Sequence, residues 1–194
     1  MFSEKWKKEI ITIPNLLSLF RIVLIPVYVS VYLGATDKGG FLLAGSILAV
    51  SCLTDLADGV IARKFNCITN VGKVLDPLAD KLTQLALILS LSARYQALYP
   101  VLVLFLGKEF FQCGALIFFA QKGKALPGAL WAGKLCTTVL FLSLILLVLF
   151  PDIPAGIATL LILTDTVFLL YSFGSYFAAY FGKGNYLTDL NRSA

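Results

Sequence analysis

The chain has 194 residues, of which 59% are hydrophobic and only 14% are charged, with a formal net charge of +5. Its mean hydropathy is +0.87. Soluble domains contain roughly 45–50% apolar and about 25% charged residues, so this composition excludes an ordinary water-soluble protein. The apolar runs reach the ~20 residues that a bilayer-spanning helix needs. The sequence therefore predicts a polytopic membrane protein.

The charged N-terminal segment is interrupted by Phe2, Trp6, Ile10 and Ile11, which predicts an amphipathic helix on the membrane surface over residues 1–13. No signal-peptide cleavage site is predicted after it. Six apolar stretches follow, and each is predicted to be a helix, because only helices and closed barrels satisfy their backbone hydrogen bonds in lipid. The predicted spans are residues 15–33, 41–62, 74–92, 101–120, 129–150 and 155–181.

The predicted fold class is all-α: one membrane domain over 1–194, with a six-helix bundle at 14–182 and a polar tail at 183–194. With six spans, both termini lie on the same side as the loops after the second and fourth spans. That side is basic, which predicts that it is cytoplasmic and contacts anionic lipid headgroups, with no need for nucleic acid. The opposite loops hold only Lys38 and Arg94. The basic side holds Lys5, Lys7, Lys8, Arg63, Lys64, Lys73, Lys122, Lys124, Lys183 and Arg192.

The chain contains no histidine, and its four cysteines lack C-x-x-C spacing. Zinc and haem sites of the usual His/Cys type are therefore not expected. We interpret the cysteines as small apolar packing residues. They are Cys52, Cys67, Cys113 and Cys136.

Four aspartates lie close together in "DLADGVIARKFNCITNVGKVLDPLADK", residues 55–81. Asp55 and Asp58 share one face at the end of the second span, and Asp76 and Asp80 share one at the start of the third. Each carboxylate at a helix centre in lipid costs about 2.5–3.5 kcal/mol, and like charges repel, so the cluster requires neutralisation. Hard cations prefer such all-oxygen sites. We therefore predict Mg²⁺ or Mn²⁺, with room for two ions.

The residues between the two acidic pairs suit a phosphate group. Gly59 and Ala62 leave room beside the second span, and Arg63 at its end suits a phosphate oxygen. Gly72 precedes the third span, whose helix N-terminus favours anions. Together these features predict a pyrophosphate site. The alternative is a solvated loop in which the aspartates pair with Arg63, Lys64, Lys73 and Lys81.

The same stretch fits the pattern D-x-x-D-G-x-x-A-R, eight residues, G-x-x-x-D-x-x-x-D. This resembles the signature of the CDP-alcohol phosphotransferase (CDP-alcohol phosphatidyltransferase) family of membrane enzymes. The resemblance implies that an alcohol attacks a phosphorus of a CDP-linked donor and that CMP leaves. It also suggests a homodimer. The matching positions are Asp55, Asp58, Gly59, Ala62, Arg63, Gly72, Asp76 and Asp80.

The resemblance also implies roles for these residues. Asp55, Asp58 and Asp76 would ligate two divalent ions, with Asp80 touching one of them and acting as the base for the incoming hydroxyl. The implied CDP site comprises Asp55, Asp58, Gly59, Ala62, Arg63, Gly72 and Asp76.

"TIPNLLSLFRIVLIPVYV", residues 12–29, resembles the branch of the family that makes phosphatidylglycerol phosphate from CDP-diacylglycerol and glycerol 3-phosphate. Asn15, Ser18 and Arg21 recur every three residues and therefore form one polar stripe on the first span. We expect Asn15 and Ser18 on the donor side and Arg21 facing the active-site cavity, where it would bind the acceptor. The alternative is that Arg21 snorkels to the membrane surface.

Two further lysines inside predicted spans are candidates for binding the acceptor phosphate. Lys108 lies in "GKEFFQ", where that branch usually has Arg-Glu, and it could instead simply neutralise Glu109. Lys134 lies in "WAGKLCTT" and matches the first lysine of the branch motif G-K-x-K-T, whereas Cys136 replaces the second.

The predicted function is therefore transfer of a phosphatidyl group from CDP-diacylglycerol to glycerol 3-phosphate. The alternative of a cardiolipin-synthase type of enzyme stays open, because Lys134 and Thr137 also resemble the motif of that type. Such an enzyme uses phosphatidylglycerol as the acceptor. Inositol phosphate or another polyol is a third choice. A divalent-cation transporter is the alternative from another class, since intramembrane carboxylates often mark ion paths. The four aspartates lie at one membrane face, however, and Asp165 is an isolated deep acid.

Overall fold

The computed structural model describes residues 12–64, 69, 71–122, 124–125, 130–181 and 188–189, without the side chains at 13–14, 56, 58–63, 73, 120, 124–125 and 188–189. Six helices and two short strands follow one another in the described chain. Each predicted span coincides with one of the helices, whereas the predicted surface helix lies almost wholly outside the described residues. The helices are α1 (Ile13–Gly34), α2 (Lys38–Lys64), α3 (Gly72–Ser92), α4 (Leu98–Gln121), α5 (Trp131–Leu149) and α6 (Ala155–Phe181). The strands are β1 (Lys124–Ala125) and β2 (Thr188–Asp189).

Five of the helices are long and apolar enough to cross a membrane. They make the chain an integral membrane protein. The helix α3 is not one of the five, because Lys73, Asp76, Asp80 and Lys81 fall within its first ten residues. The candidate spans are Asn15–Gly34, Lys38–Asp55, Leu98–Phe119, Trp131–Leu149 and Ala155–Phe181.

Several polar side chains of the described helices are buried where helices pack together, whereas large apolar side chains cover the exposed faces. Val103, Phe110 and Leu160 are exposed, while Lys108 and Asp165 are buried. This is the reverse of a water-soluble protein, in which Lys and Asp are almost never fully buried unless paired. It is the arrangement expected of helices surrounded by lipid, whose rare ionisable side chains face the interior.

The helices α1, α2 and α3 form one compact unit together with Val148–Pro151. Within it, α1 packs closely against both α2 and α3. The Oη atom of Tyr28 on α1 lies 3.2 Å from Oγ of Ser90 on α3, within hydrogen-bond distance. At the start of α2, the carboxylate of Asp37 accepts a hydrogen bond from the Gly40 amide at 3.1 Å, as an N-terminal cap does. The helix α1 is thus the element that joins the two helices carrying the aspartates.

The second unit comprises Arg94–Leu147 and the chain from Asp152 onwards. Aromatic side chains join α4 to α6, with the ring centroids of Phe111 and Phe173 5.0 Å apart. A Cβ atom at Gly133 on α5 would overlap the Tyr176 hydroxyl, so this glycine allows α5 to approach α6. The strands β1 and β2 pair antiparallel, which ties the segment after α4 to the segment after α6.

Candidate active site

The polar stripe on α1 contacts the start of α3 and Thr69, which lies three residues before that helix. The side-chain amide of Asn15 donates to Oγ1 of Thr69 at 3.0 Å, and the Ser18 hydroxyl donates to Oδ1 of Asp76. Both Asn15 and Ser18 are buried. Because buried polar groups are costly unless they are hydrogen-bonded, these contacts fix the register of α1 against α3.

Arg21, one turn further along α1, is held between carboxylates from both aspartate helices. Its Nη1 atom lies 2.6 Å from Oδ1 of Asp80 and is also ion-paired with Oδ1 of Asp55. The Arg21 side chain is only 3% exposed, whereas those of Asp55 and Asp80 are 43% and 50% exposed. Arg21 therefore does not snorkel to the membrane surface. One carboxylate from α2 and one from α3 thus contact the same cation, which α1 supplies, and the convergence of all four aspartates stays a prediction.

Gly72, the first residue of α3, lies close to Asn15 on α1. Its amide donates to Oγ1 of Thr69 at 2.9 Å. A Cβ atom at this position would lie 2.6 Å from Oδ1 of Asn15 and 3.1 Å from the same Thr69 oxygen. Real Cβ atoms do not approach that closely, so the contact itself requires glycine. The CDP-binding role implied for Gly72 stays a prediction beside this packing role.

Gly72→Ala is expected to lower the melting temperature of the purified protein, because the added methyl group must push Asn15 away from Thr69. Overpacking of this kind costs about 1–3 kcal/mol. Gly114→Ala on α4 is the matched control, since a Cβ there meets nothing within 4 Å. Replacing glycine by alanine inside a helix is worth roughly 0.5–1 kcal/mol, so the control should melt at the same temperature or higher. Equal shifts in both variants would contradict the packing role.

The carboxylates of this cluster suit a divalent cation in their donor chemistry. Asp55 and Asp80 both contact one cationic nitrogen, so a positive charge already lies between two carboxylates. Asp76 is occupied by Ser18. Within the described part of the chain, no three acidic, cysteine or histidine side chains gather as metal ligands. The side chains of Asp58, Gly59, Ala62 and Arg63 lie outside the described residues, so their predicted metal-binding and CDP-binding roles stay predictions.

The two lysines predicted for the acceptor differ in their surroundings. Nζ of Lys108 lies 2.7 Å from Oε1 of Glu109, and the lysine is buried, which is the pairing foreseen as the alternative. Lys134 is exposed, and its Nζ atom lies 5.8 Å from the centre of the Trp131 ring. Cys136 is only 1% exposed. The position of the missing second lysine therefore points into the helix packing, away from the side that Lys134 faces.

Asp165 on α6 lies near other buried polar side chains. It is 0% exposed, and neither carboxylate oxygen has a hydrogen-bond partner among the residues that the structure describes. Ser143 on α5 lies near it without reaching hydrogen-bond geometry, and Ser172 lies beside Cys136 in the same way. Asp165 and Ser172 are seven residues apart, as are Cys136 and Ser143, so each pair shares a helix face. These four residues form a buried polar seam, and their seven-residue spacing is the sequence signal by which it could have been found.

The comparison with known families bears directly on the aspartate cluster. The family model described as CDP-alcohol phosphatidyltransferase matches residues 11–171. The chain belongs to the CDP-alcohol phosphatidyltransferase family. The match contains α1, α2 and α3 complete, and with them every described contact among Asn15, Ser18, Arg21 and the aspartates.

Similar proteins span most of this CDP-alcohol phosphatidyltransferase. It is 33% identical over 173 residues to the CDP-diacylglycerol--glycerol-3-phosphate 3-phosphatidyltransferase of Escherichia coli, which covers 86% of this chain and 93% of that protein. The protein of the same name from Shigella sonnei gives the same figures. A probable phosphatidylglycerophosphate synthase of Mycobacterium tuberculosis is 29% identical over 165 residues, covering 84% of this chain and 78% of that protein. The chain is therefore an enzyme, a transferase of phospholipid biosynthesis in the membrane.

Proposed function

We propose that this enzyme transfers the phosphatidyl group of CDP-diacylglycerol to a hydroxyl of glycerol 3-phosphate, giving phosphatidylglycerol phosphate and CMP. The observation that carries the proposal is the Arg21-bridged pair Asp55 and Asp80, which lies inside the family match. The names of the Escherichia coli and Shigella sonnei relatives support glycerol 3-phosphate as the acceptor.

In the proposed reaction, the acceptor hydroxyl oxygen bonds to the phosphorus that carries the diacylglycerol. The bond from that phosphorus to the oxygen it shares with the CMP phosphate breaks, and CMP leaves with the electron pair. The hydroxyl proton passes to Asp80, whose side chain is half exposed and thus accessible to a substrate. Phosphoryl transfer depends mainly on positioning and charge neutralisation, which a cluster of fixed charges supplies.

Asp55, Asp58, Asp76 and Asp80 are the residues that would hold two Mg²⁺ or Mn²⁺ ions. When bound, such ions neutralise the charge on phosphate oxygens. We assign the CDP moiety to Gly59, Ala62, Arg63 and Gly72 together with the first three aspartates. Arg63 would hold a phosphate oxygen with its planar guanidinium.

Glycerol 3-phosphate brings a phosphate group of its own, in addition to the phosphates of the donor, and this group requires its own cations. We assign Lys134 and Lys108 to this group, whereas the acceptor contact predicted for Arg21 stays a prediction. Lys134 is exposed and lies in the first turn of α5, at one end of that candidate span. Lys108 is held by Glu109, so it would bind the acceptor as part of an ion pair. The buried Cys136 provides no third cation, which is why phosphatidylglycerol is the rival acceptor to test.

CMP release tests the proposal. The purified enzyme would receive CDP-diacylglycerol with Mg²⁺, Mn²⁺ or EDTA, and glycerol 3-phosphate, phosphatidylglycerol or inositol phosphate in parallel. We expect release only with a divalent ion and glycerol 3-phosphate. Release driven by phosphatidylglycerol instead would place the enzyme with the cardiolipin synthases. Equal release in EDTA would overturn the metal site while leaving the transfer itself intact.

We also propose that α3 crosses the membrane, which gives six spans, with both termini and the aspartate cluster on the cytoplasmic side. The basic loops of that side support the orientation. Reporter fusions in bacterial cells test it, because the C-terminus returns to the N-terminal side only if α3 crosses. A reporter after Ala194 should read as cytoplasmic and one inserted at Ala35 as external. Opposite sides for the two termini would contradict six spans.

The resemblance to the family further supports a homodimer as a proposal. Chemical cross-linking of the enzyme in native membranes, followed by mass measurement, would reveal the dimer as a species of twice the chain mass.

A further inference from the structure

We propose that Arg21 is an internal cation that occupies the carboxylates of Asp55 and Asp80 until divalent ions displace it. The inference rests on the proposed function, because it concerns the same aspartates as metal ligands. It assigns Arg21 a role in metal binding in addition to the acceptor contact predicted from the sequence.

The contacts of Arg21 make it a competitor for a metal. One nitrogen, Nη1, contacts the Oδ1 atoms of both Asp55 and Asp80. These oxygens come from different helices, and the guanidinium nitrogen lies between them. A divalent ion bound by the same two oxygens would need the place that this nitrogen takes. Two cations cannot share that place, because they would overlap and repel each other.

The competition does not depend on the protonation of Arg21, because a guanidinium stays charged in proteins at any ordinary pH. The effect of this competition on metal affinity follows from the populations of protein with paired and with available carboxylates. When only a fraction of the protein has its carboxylates available, the apparent dissociation constant rises by the inverse of that fraction. Arg21 is 3% exposed and contacts both carboxylates, which favours the state in which they are paired with it.

Displacement separates the Arg21 guanidinium from these two carboxylates, so that a new anionic group can contact it. Its planar set of N–H donors matches the oxygens of a phosphate group, which the substrates supply. A substrate that receives Arg21 therefore strengthens metal binding, and the metal strengthens substrate binding by the same factor. The site would hold its ions weakly when empty and tightly once a CDP-linked substrate is present.

Mn²⁺ binding, followed by electron paramagnetic resonance without substrate, tests the inference apart from activity. Arg21→Gln should bind Mn²⁺ at least about tenfold more tightly than the natural enzyme, since no cation competes for the carboxylates. Arg21→Lys keeps the charge and should stay close to the natural affinity. Arg94→Gln, which removes an exposed charge from the turn after α3, is the matched control and should change nothing. Adding CDP should tighten Mn²⁺ binding in the natural enzyme more than in Arg21→Gln.

The outcomes separate this inference from the proposed function. Equal or weaker Mn²⁺ binding by Arg21→Gln would overturn the competition while leaving the metal site in place. Absence of Mn²⁺ binding in every variant would overturn both. If Arg21→Gln does not fold, arginine-specific labelling of the natural enzyme decides, with Arg94 as the internal reference. Labelling of Arg21 should rise when Mn²⁺ replaces EDTA, and unchanged labelling would overturn the inference.

Discussion

Asp80→Asn is expected to lower the rate of CMP release by roughly a thousandfold, which corresponds to about 4 kcal/mol of lost transition-state stabilisation. The asparagine keeps the size of the side chain but can neither take the hydroxyl proton nor carry the negative charge that a cation requires. Arg21 still has Asp55 as a partner, so the helices should stay packed. The measurement is the initial rate of CMP release, together with the melting temperature in detergent.

Asp37→Asn is the control for the Asp80 variant, because it makes the same chemical change outside the site. Asp37 caps the start of α2 through the Gly40 amide, and asparagine caps helices equally well. Its rate and melting temperature should therefore match those of the natural enzyme. An Asp80→Asn enzyme with more than a tenth of the natural rate would remove Asp80 from the chemistry.

Lys134→Gln is expected to raise the KM for glycerol 3-phosphate by about 10–100-fold while leaving kcat within a factor of about three. A hydrogen bond to a charged group is worth about 1.5–3 kcal/mol, and a contact made equally in the ground and transition states appears in KM alone. The KM for CDP-diacylglycerol should not change, because Lys134 is assigned to the acceptor. Steady-state kinetics with each substrate varied in turn give both constants.

Lys122→Gln supplies the control for the charge. Lys122 is an exposed lysine whose Nζ atom lies 4.1 Å from the centre of the Phe118 ring, so its surroundings resemble those of Lys134 beside Trp131. It should leave both KM values unchanged. If the two variants behaved alike, the effect would belong to the basic membrane surface and Lys134 would have no specific role with the acceptor.

The helices were predictable from the sequence because the apolar runs are long and the polar breaks between them are short. The sixth span, residues 155–181, has the same bounds as α6, and the ends of the other helices lie within three residues of the predicted ones. The polar stripe on α1 was equally visible, since a three-residue spacing places Asn15, Ser18 and Arg21 on one face. Local periodicity carries this information without any knowledge of the neighbouring helices.

The partners of that stripe could not be read from the sequence. Arg21 and Asp80 are 59 residues apart, and no local pattern specifies which carboxylates the guanidinium will contact. Gly72 presents the same problem, because the atom that excludes a side chain there belongs to Asn15 on another helix. For the buried seam at Asp165, the seven-residue spacing within α5 and within α6 is visible in the sequence, but the alignment of the two helices is not. Contacts between distant segments follow from packing, which composition and spacing leave open.

The most direct test of the account is the fate of isotope-labelled glycerol 3-phosphate incubated with the purified enzyme, CDP-diacylglycerol and Mg²⁺. Label should enter the lipid extract as phosphatidylglycerol phosphate, with one CMP released for each molecule incorporated. Label that stayed in the aqueous phase, while phosphatidylglycerol offered in its place drove the release of CMP, would contradict the proposed function.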